Sequence, residues 1–226
     1  MWLLGKHRLM CGNSTNIIDV QKLVNGNKID MIYTDPPYGI QINTSTTHSG
    51  KGIAKRAKYN DILNDQDTNT ARECYNLIHN FFNCLLVYWG ANYYDFLPPS
   101  KCWIAWFKRQ GLPDDDFCGT ELAYTNSSKH SKTLPVQWKG MIKEGEMGVK
   151  RVHPTQKPIK LALDCFEYLN ANNNILDLFG GSGSTLIACE KSNRKCFMME
   201  LDAHYCDVII TRWEKLTGQK AILEAA

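Results

Sequence analysis

Five short, almost uninterrupted apolar runs punctuate the chain, at residues 29–33, 85–89, 103–107, 175–179 and 196–199. Hydrophobicity that is continuous rather than alternating predicts strands buried on both faces, as in a parallel sheet covered by helices. Helical spacing separates several of the runs. Ile159, Ala162, Leu163, Phe166 and Leu169 form one stripe behind Pro158, which suits a first helical turn, and Tyr205, Val208, Ile209, Trp213 and Leu216 form another that Gly218 closes. Residues 186–191 predict a further helix. The alternation implies one α/β unit over residues 1–226, interrupted by two irregular insertions at about 40–69 and 127–152.

Composition adds limits to this picture. A chain of 226 residues with 43% apolar content suits a single folded domain. The longest apolar stretch, 81–89, is too short to cross a bilayer, and residues 1–11 lack a signal-peptide core, so a cytoplasmic protein with no membrane partner is expected. The nine cysteines are scattered without a Cys-x-x-Cys pair, and the six histidines show no His-x-x-x-His spacing, so no metal site is expected. A net charge of +3 does not by itself imply nucleic acid. Its distribution says more: Lys51, Lys55, Arg56 and Lys58 crowd the first insertion, and Lys129, His130, Lys132, Lys139, Lys143, Lys150 and Arg151 punctuate the second.

Two segments carry candidate chemistry. Asp177, Leu178, Phe179, Gly180, Gly181, Ser182, Gly183, Ser184 and Thr185 follow a predicted strand and open a helix, where glycines permit a tight turn and the helix end offers unpaired N–H groups to an anion. Glu200 ends the next strand about twenty residues on, the place from which an acidic side chain holds a ribose diol. Asp202 reads as a helix cap, and the loop lacks the lysine of a triphosphatase. The second segment, Asp35-Pro36-Pro37-Tyr38, follows the strand at 29–34, at the carboxyl end where open α/β sheets bind ligands. Two prolines make a rigid turn. An aromatic amine is a poor nucleophile, because its lone pair is delocalised. Asp35 and the Pro36 carbonyl can draw on its protons and aim it, while Tyr38 offers a flat face to a base rotated out of the duplex. With an ordinary pKa near 4, Asp35 is expected to be ionised.

With these residues in hand, the chain resembles the amino-group DNA methyltransferases, the adenine-N6 and cytosine-N4 enzymes. Its motif order is similar to their β class: Asp35-Pro36-Pro37-Tyr38, then His153-Pro154-Thr155-Gln156-Lys157-Pro158, then Phe179-Gly180-Gly181-Ser182-Gly183. The closing Arg212-Trp213-Glu214-Lys215-Leu216-Thr217-Gly218 is similar to the ending of small phage and prophage members. The resemblance implies a Rossmann-like fold with a seven-stranded, mostly parallel sheet flanked by helices on both faces. It also implies S-adenosylmethionine as cofactor, DNA as partner, and a dimer as one arrangement common in the family.

By the same resemblance, His153, Thr155 and Lys157 belong to the methionine end of the cofactor, with Thr155 and Lys157 contacting its carboxylate. Asn13 stands near the cofactor's adenine, where the family usually has Asp. Asp35, Asp177, Phe179, Gly180, Gly181, Ser182, Gly183, Ser184, Thr185 and Glu200 complete the cofactor set. A target-recognition insert is expected at about 126–152 and a DNA-contact loop at about 40–69, with Lys51, Lys55, Arg56, Lys58, Lys129, Lys132 and Lys139 on phosphates. Asp rather than Ser at position 35 points to adenine N6. N4-cytosine methylation is the nearest alternative, and a catalytically silent DNA-binding subunit is another.

Overall fold

The computed structural model describes residues 1–41, 62–109, 111, 119–139, 142–149 and 151–224. Among the described residues, twelve strands and five helices run in the order β1 (Trp2–Leu4), β2 (His7–Cys11), α1 (Ile17–Val24), β3 (Met31–Thr34), α2 (Asn69–Phe81), β4 (Leu85–Trp89), β5 (Cys102–Phe107), β6 (Thr120–Thr125), β7 (Lys132–Pro135), β8 (Trp138–Lys139), β9 (Ile142–Lys143), α3 (Ile159–Tyr168), β10 (Asn174–Asp177), α4 (Ser184–Lys191), β11 (Lys195–Glu200), α5 (Ala203–Thr217) and β12 (Ile222–Leu223). A 3-10 turn, Ala91–Tyr93, follows β4.

Ten strands form one sheet in the order β12-β1-β2-β11-β10-β3-β4-β6-β5-β7, so the expected seven strands are an underestimate. The additions are edge strands: β12 and β1 at one side and β7 at the other. The middle, β2-β11-β10-β3-β4, is wholly parallel, whereas β6 runs antiparallel between β4 and β5. Alternate residues of these apolar strands face opposite layers. Met31, Tyr33, Val87, Ile175 and Met198 pack with Leu161, Phe166, Leu186, Ile209 and Trp213 of α3, α4 and α5. Ile32, Leu86, Tyr88, Leu176 and Phe197 pack with α1 and α2 through Val20, Leu23, Cys74 and Ile78. Each such buried side chain contributes about 1.5–3 kcal/mol of transfer free energy.

The helix ends are chemically marked. Asp202 caps α5 by accepting from the His204 amide at 2.8 Å, and Gly218 ends that helix at φ 72°. Pro158, expected inside the first turn, is instead the N-cap of α3 and offers no side-chain acceptor. Glu146 from the second insertion supplies it, taking the Ile159 amide at 2.9 Å. Among the described residues no helix is long and apolar enough to cross a membrane.

Candidate active site

The catalytic turn sits where β3 and β10 end side by side. Thr34 locks them, donating to Asp177 Oδ1 and accepting from the Leu178 amide, at 3.2 Å each. Pro36 and Pro37 have no N–H to extend the ladder, so the chain leaves the sheet there. Tyr94 donates its hydroxyl to both proline carbonyls at 3.2 Å. The Pro36 oxygen keeps a second lone pair. Tyr38 packs so closely against Gly90 that a Cβ at residue 90 would lie 2.2 Å from its ring, which only glycine permits. Tyr93 stacks on Tyr38 with ring centroids 5.0 Å apart and planes 16° from parallel.

Behind the turn runs a chain of four charges. Lys157 Nζ donates to Asp35 Oδ2 at 2.5 Å and to the Tyr38 hydroxyl at 2.9 Å, and it lies 3.1 Å from Glu121 Oε2. Lys108 pairs with the other oxygen of Glu121. The Tyr38 hydroxyl in turn donates to Asp35 Oδ1 at 2.5 Å. Burial pushes Asp35 upward, against the pull of Lys157, and the Glu121 charge adds to the rise. This corrects the ordinary value expected for Asp35. Burial also pushes Glu121 up, but the ammonium groups of Lys157 and Lys108 prevail and hold it at about 2. Against its own desolvation, Lys157 is held above the usual lysine range by Asp35 and Glu121.

Lys157 Nζ donates two hydrogen bonds, to Asp35 and to the Tyr38 hydroxyl, and lies 3.1 Å from Glu121 Oε2, so within the protein its charge is shared between two carboxylates. One expectation changes here. Tyr38 serves through its hydroxyl as well as its ring.

The turn opens onto a cleft of about 1160 Å³, mouth included, that also takes in His153, Thr155, Asp177, Phe179, Gly180, Gly181, Ser182, Ser184, Thr185 and Glu200. Glu200 braces the glycine loop, accepting from the Gly181 amide at 2.6 Å and the Asp202 amide at 2.9 Å, and burial pushes its carboxyl up. Arg212 of α5 donates to the Ser182 carbonyl. Asp177 is raised to about 7 by burial, in spite of hydrogen bonds from Thr185, the Phe179 amide and Thr34. His153, desolvated and near Lys157, is lowered to about 4 and is neutral at pH 7; its Nδ1 lies 3.1 Å from the Thr155 hydroxyl. Gly183 lies behind the cleft, where a Cβ would come within 2.9 Å of Ile209. Asn13 is exposed and turned to its own loop, accepting from the Thr15 amide at 3.0 Å, while its neighbour Ser14 lines the cleft. Of the two, Ser14 is the one on the cleft wall.

The basic residues divide. Lys51, Lys55, Arg56 and Lys58 lie outside the described residues, as does the Lys139 side chain. Lys129 and Lys132 gather around Tyr168 at the far end of α3, with Lys129 donating to the Tyr168 carbonyl. That is the amino end of the parallel strands, because β6 descends antiparallel to β4 and delivers the chain there. The expected phosphate contacts at Lys129 and Lys132 are thereby corrected: they stand at the opposite end of the sheet from Asp35. Only the later part of the 126–152 insert returns to the catalytic end, where the Trp138 amide meets the Lys108 carbonyl and Glu146 caps α3. The first insertion also returns, bringing Ile62, Leu63, Asn64 and Asp65 to the cleft, with Asp65 Oδ1 accepting from the Gly39 amide at 2.9 Å.

Sequence reasoning missed Glu121, Lys108, Gly90, Tyr93 and Tyr94. An acidic residue inside the apolar strand 121–124 was a usable signal for Glu121. Gly90, Tyr93 and Tyr94 carry none, because their partners Tyr38 and Pro36 lie more than fifty residues away, and Lys108 is one lysine among many until Glu121 is placed beside it. Among the described residues no cluster of His, Cys, Asp and Glu could hold a metal ion.

A family described as DNA methylase matches residues 95–211. The type II methyltransferase M.HpaI of Haemophilus parainfluenzae is 22% identical over 247 residues, covering 89% of this chain and 72% of that protein. The fold is similar to that of M1.HpyAVI, solved with SAM, at 21% identity and a TM-score of 0.57 over 91% of this chain and 98% of that one. It is also similar to the cytosine-N4-specific PvuII DNA methyltransferase, at 14% identity and a TM-score of 0.55 over 95% and 94%.

Proposed function

The chain belongs to the N6/N4 DNA methylase family, and from that premise we propose that it transfers a methyl group from S-adenosylmethionine to the N6 amino group of adenine in DNA. One observation carries the reading. Asp35, with both oxygens held by Tyr38 and Lys157, opens onto the same cleft as the Gly180–Gly181 turn and Glu200.

The cleft residues fit the cofactor chemically. Glu200 uses its oxygens on two backbone amides yet retains lone pairs for a ribose diol. Phe179 and Leu201 offer apolar surface, and Ser182 and Ser184 stand at the start of α4, where unpaired N–H groups favour a carboxylate. These serines and Thr155 would hold the methionine end, with Lys157 beside them on the cleft wall. When bound, S-adenosylmethionine supplies an electrophilic methyl group on its sulfonium.

The protein's part is to prepare the amine. Asp35 and the Pro36 carbonyl accept hydrogen bonds from its two N–H groups, which turns the nitrogen lone pair out of conjugation and toward the cofactor side of the cleft. Tyr94 fixes the proline carbonyls and Lys157 fixes the carboxylate, so the acceptors are set before the base arrives. The Tyr38–Tyr93 aromatic pair gives an extruded base a stacking surface. Among the described residues no cysteine lines the cleft, which favours direct amine attack over ring chemistry through a thiolate.

The choice of adenine rests on Asp35, since cytosine-N4 members more often carry Ser at that position. DNA contacts are assigned to residues 40–69 and to the part of the 126–152 insert beyond Val136. DNA incubated with labelled S-adenosylmethionine and digested to nucleosides should yield N6-methyladenine. Label only in N4-methylcytosine would overturn the base and leave the amine mechanism; DNA without label would overturn both.

A further inference from the structure

Asp35 is one of two carboxylates on a single buried ammonium. Lys157, 9% exposed, stands between Asp35 at 2.5 Å and Glu121 at 3.1 Å, and Glu121 is backed by Lys108. The two carboxylates come from strands far apart in sequence: Asp35 follows β3, and Glu121 lies on β6, two strands across the sheet. A lysine facing Asp35 alone would neutralise it closely and blunt it as a hydrogen-bond acceptor. Sharing the lysine avoids that.

We propose that Glu121 is a positioning residue for methyl transfer: it draws part of the Lys157 charge to itself and leaves Asp35 the stronger acceptor for the target amine. The inference rests on the amino-methyltransferase reading for its purpose, but its electrostatics belong to the chain alone. Lys108 sets the balance from the other side, because the more fully Glu121 is neutralised by Lys108, the less it takes from Lys157. The rise of Asp35 above the ordinary aspartate range, to which burial contributes most and Glu121 adds, agrees in direction.

The other groups facing this cluster do not supply the same effect. Tyr38 in the turn, Tyr33 on β3 and Tyr94 beyond β4 are phenols that burial keeps protonated. Asp177 at the end of β10 is raised to about 7, and His153, near Lys157, is lowered to about 4. Neither His153 nor any of the phenols is charged at pH 7.

Two isosteric variants test the inference through opposite signs. In Glu121→Gln, Lys157 serves Asp35 alone, so the ionisation midpoint of Asp35 should move down by about half a pH unit or more. In Lys108→Gln, Glu121 turns more fully to Lys157, and the midpoint should move up. The midpoint is read by carbon NMR titration of aspartate-labelled free protein, with the Asp35 resonance identified by its loss in Asp35→Asn. The acidic limb of the kcat profile with S-adenosylmethionine and DNA should follow it, and Glu121→Gln should lose several-fold in kcat at neutral pH with KM for either substrate little changed. Midpoints that stay put, or that move the same way in both variants, overturn the inference. Opposed midpoint shifts in a protein that methylates no DNA would instead overturn the functional reading and leave the charge balance standing.

Discussion

Tyr94 reaches back from the core to Pro36, its hydroxyl 3.2 Å from that carbonyl and 3.2 Å from the next, so a phenol after β4 decides where an acceptor of the β3 turn points. Tyr94→Phe keeps the ring and its packing on Tyr38 while removing the donor. Stability should fall by about 0.5–1.5 kcal/mol. Activity should fall more than that loss explains, about tenfold in kcat, because the aim of the carbonyl is lost. Denaturant unfolding beside steady-state kinetics checks the pair of numbers, and an unchanged kcat would remove Tyr94 from the positioning of the turn.

The Tyr38 hydroxyl donates to Asp35 and accepts from Lys157, whereas the sequence alone assigned Tyr38 only a stacking face. Tyr38→Phe is therefore expected to lose about tenfold in kcat, as a hydrogen bond to a charged group contributes about 1.5–3 kcal/mol. Tyr38→Ala should lose more, since stacking goes too. Should Tyr38→Phe match the wild type in kcat, the ring is all that catalysis uses.

Asp177 carries a pH signature. Its folded-state pKa of about 7 lies above the unfolded value near 4, so folded protein keeps a proton that unfolded protein releases. Stability from this group is complete below about pH 4 and declines as pH rises toward 7, by an amount on the order of a few kcal/mol. Asp177→Asn should flatten that decline and be the more stable protein above neutrality. Parallel stability curves for the two proteins from pH 4 to 8 would show that Asp177 ionises normally.

The position of Lys129 and Lys132 at the far end of the sheet predicts that the two basic groups differ in salt behaviour. Neutralising Lys51, Lys55, Arg56 and Lys58 should reduce the slope of log affinity for duplex DNA against log salt by about 0.9 for each phosphate that no longer meets a cation. Neutralising Lys129 and Lys132, which surround Tyr168 at the far end of the sheet, should leave it alone. A slope that responds only to the second pair would reverse the face of the molecule that meets DNA.

Contiguous residues were enough for the central strands, the Asp35-Pro36-Pro37-Tyr38 turn and the Gly180–Gly181 loop, since backbone sterics and hydrophobic runs act between near neighbours and leave their mark in a short window. The edge strands escaped notice for the complementary reason. β7 has one buried residue, Leu134, and exists because β5 offers it an open edge. The roles of Lys157 and Tyr94 were likewise not legible, and Glu121 left only its charge inside an apolar strand as a sign. An ion pair or a hydrogen bond depends on which groups come within a few ångströms, and here those groups lie 122 residues apart for Lys157 and Asp35 and 58 for Tyr94 and Pro36. Strand direction decided the rest: because β6 runs down the sheet, Glu121 at its start joins the catalytic end, while Lys129, eight positions later, is carried to the other.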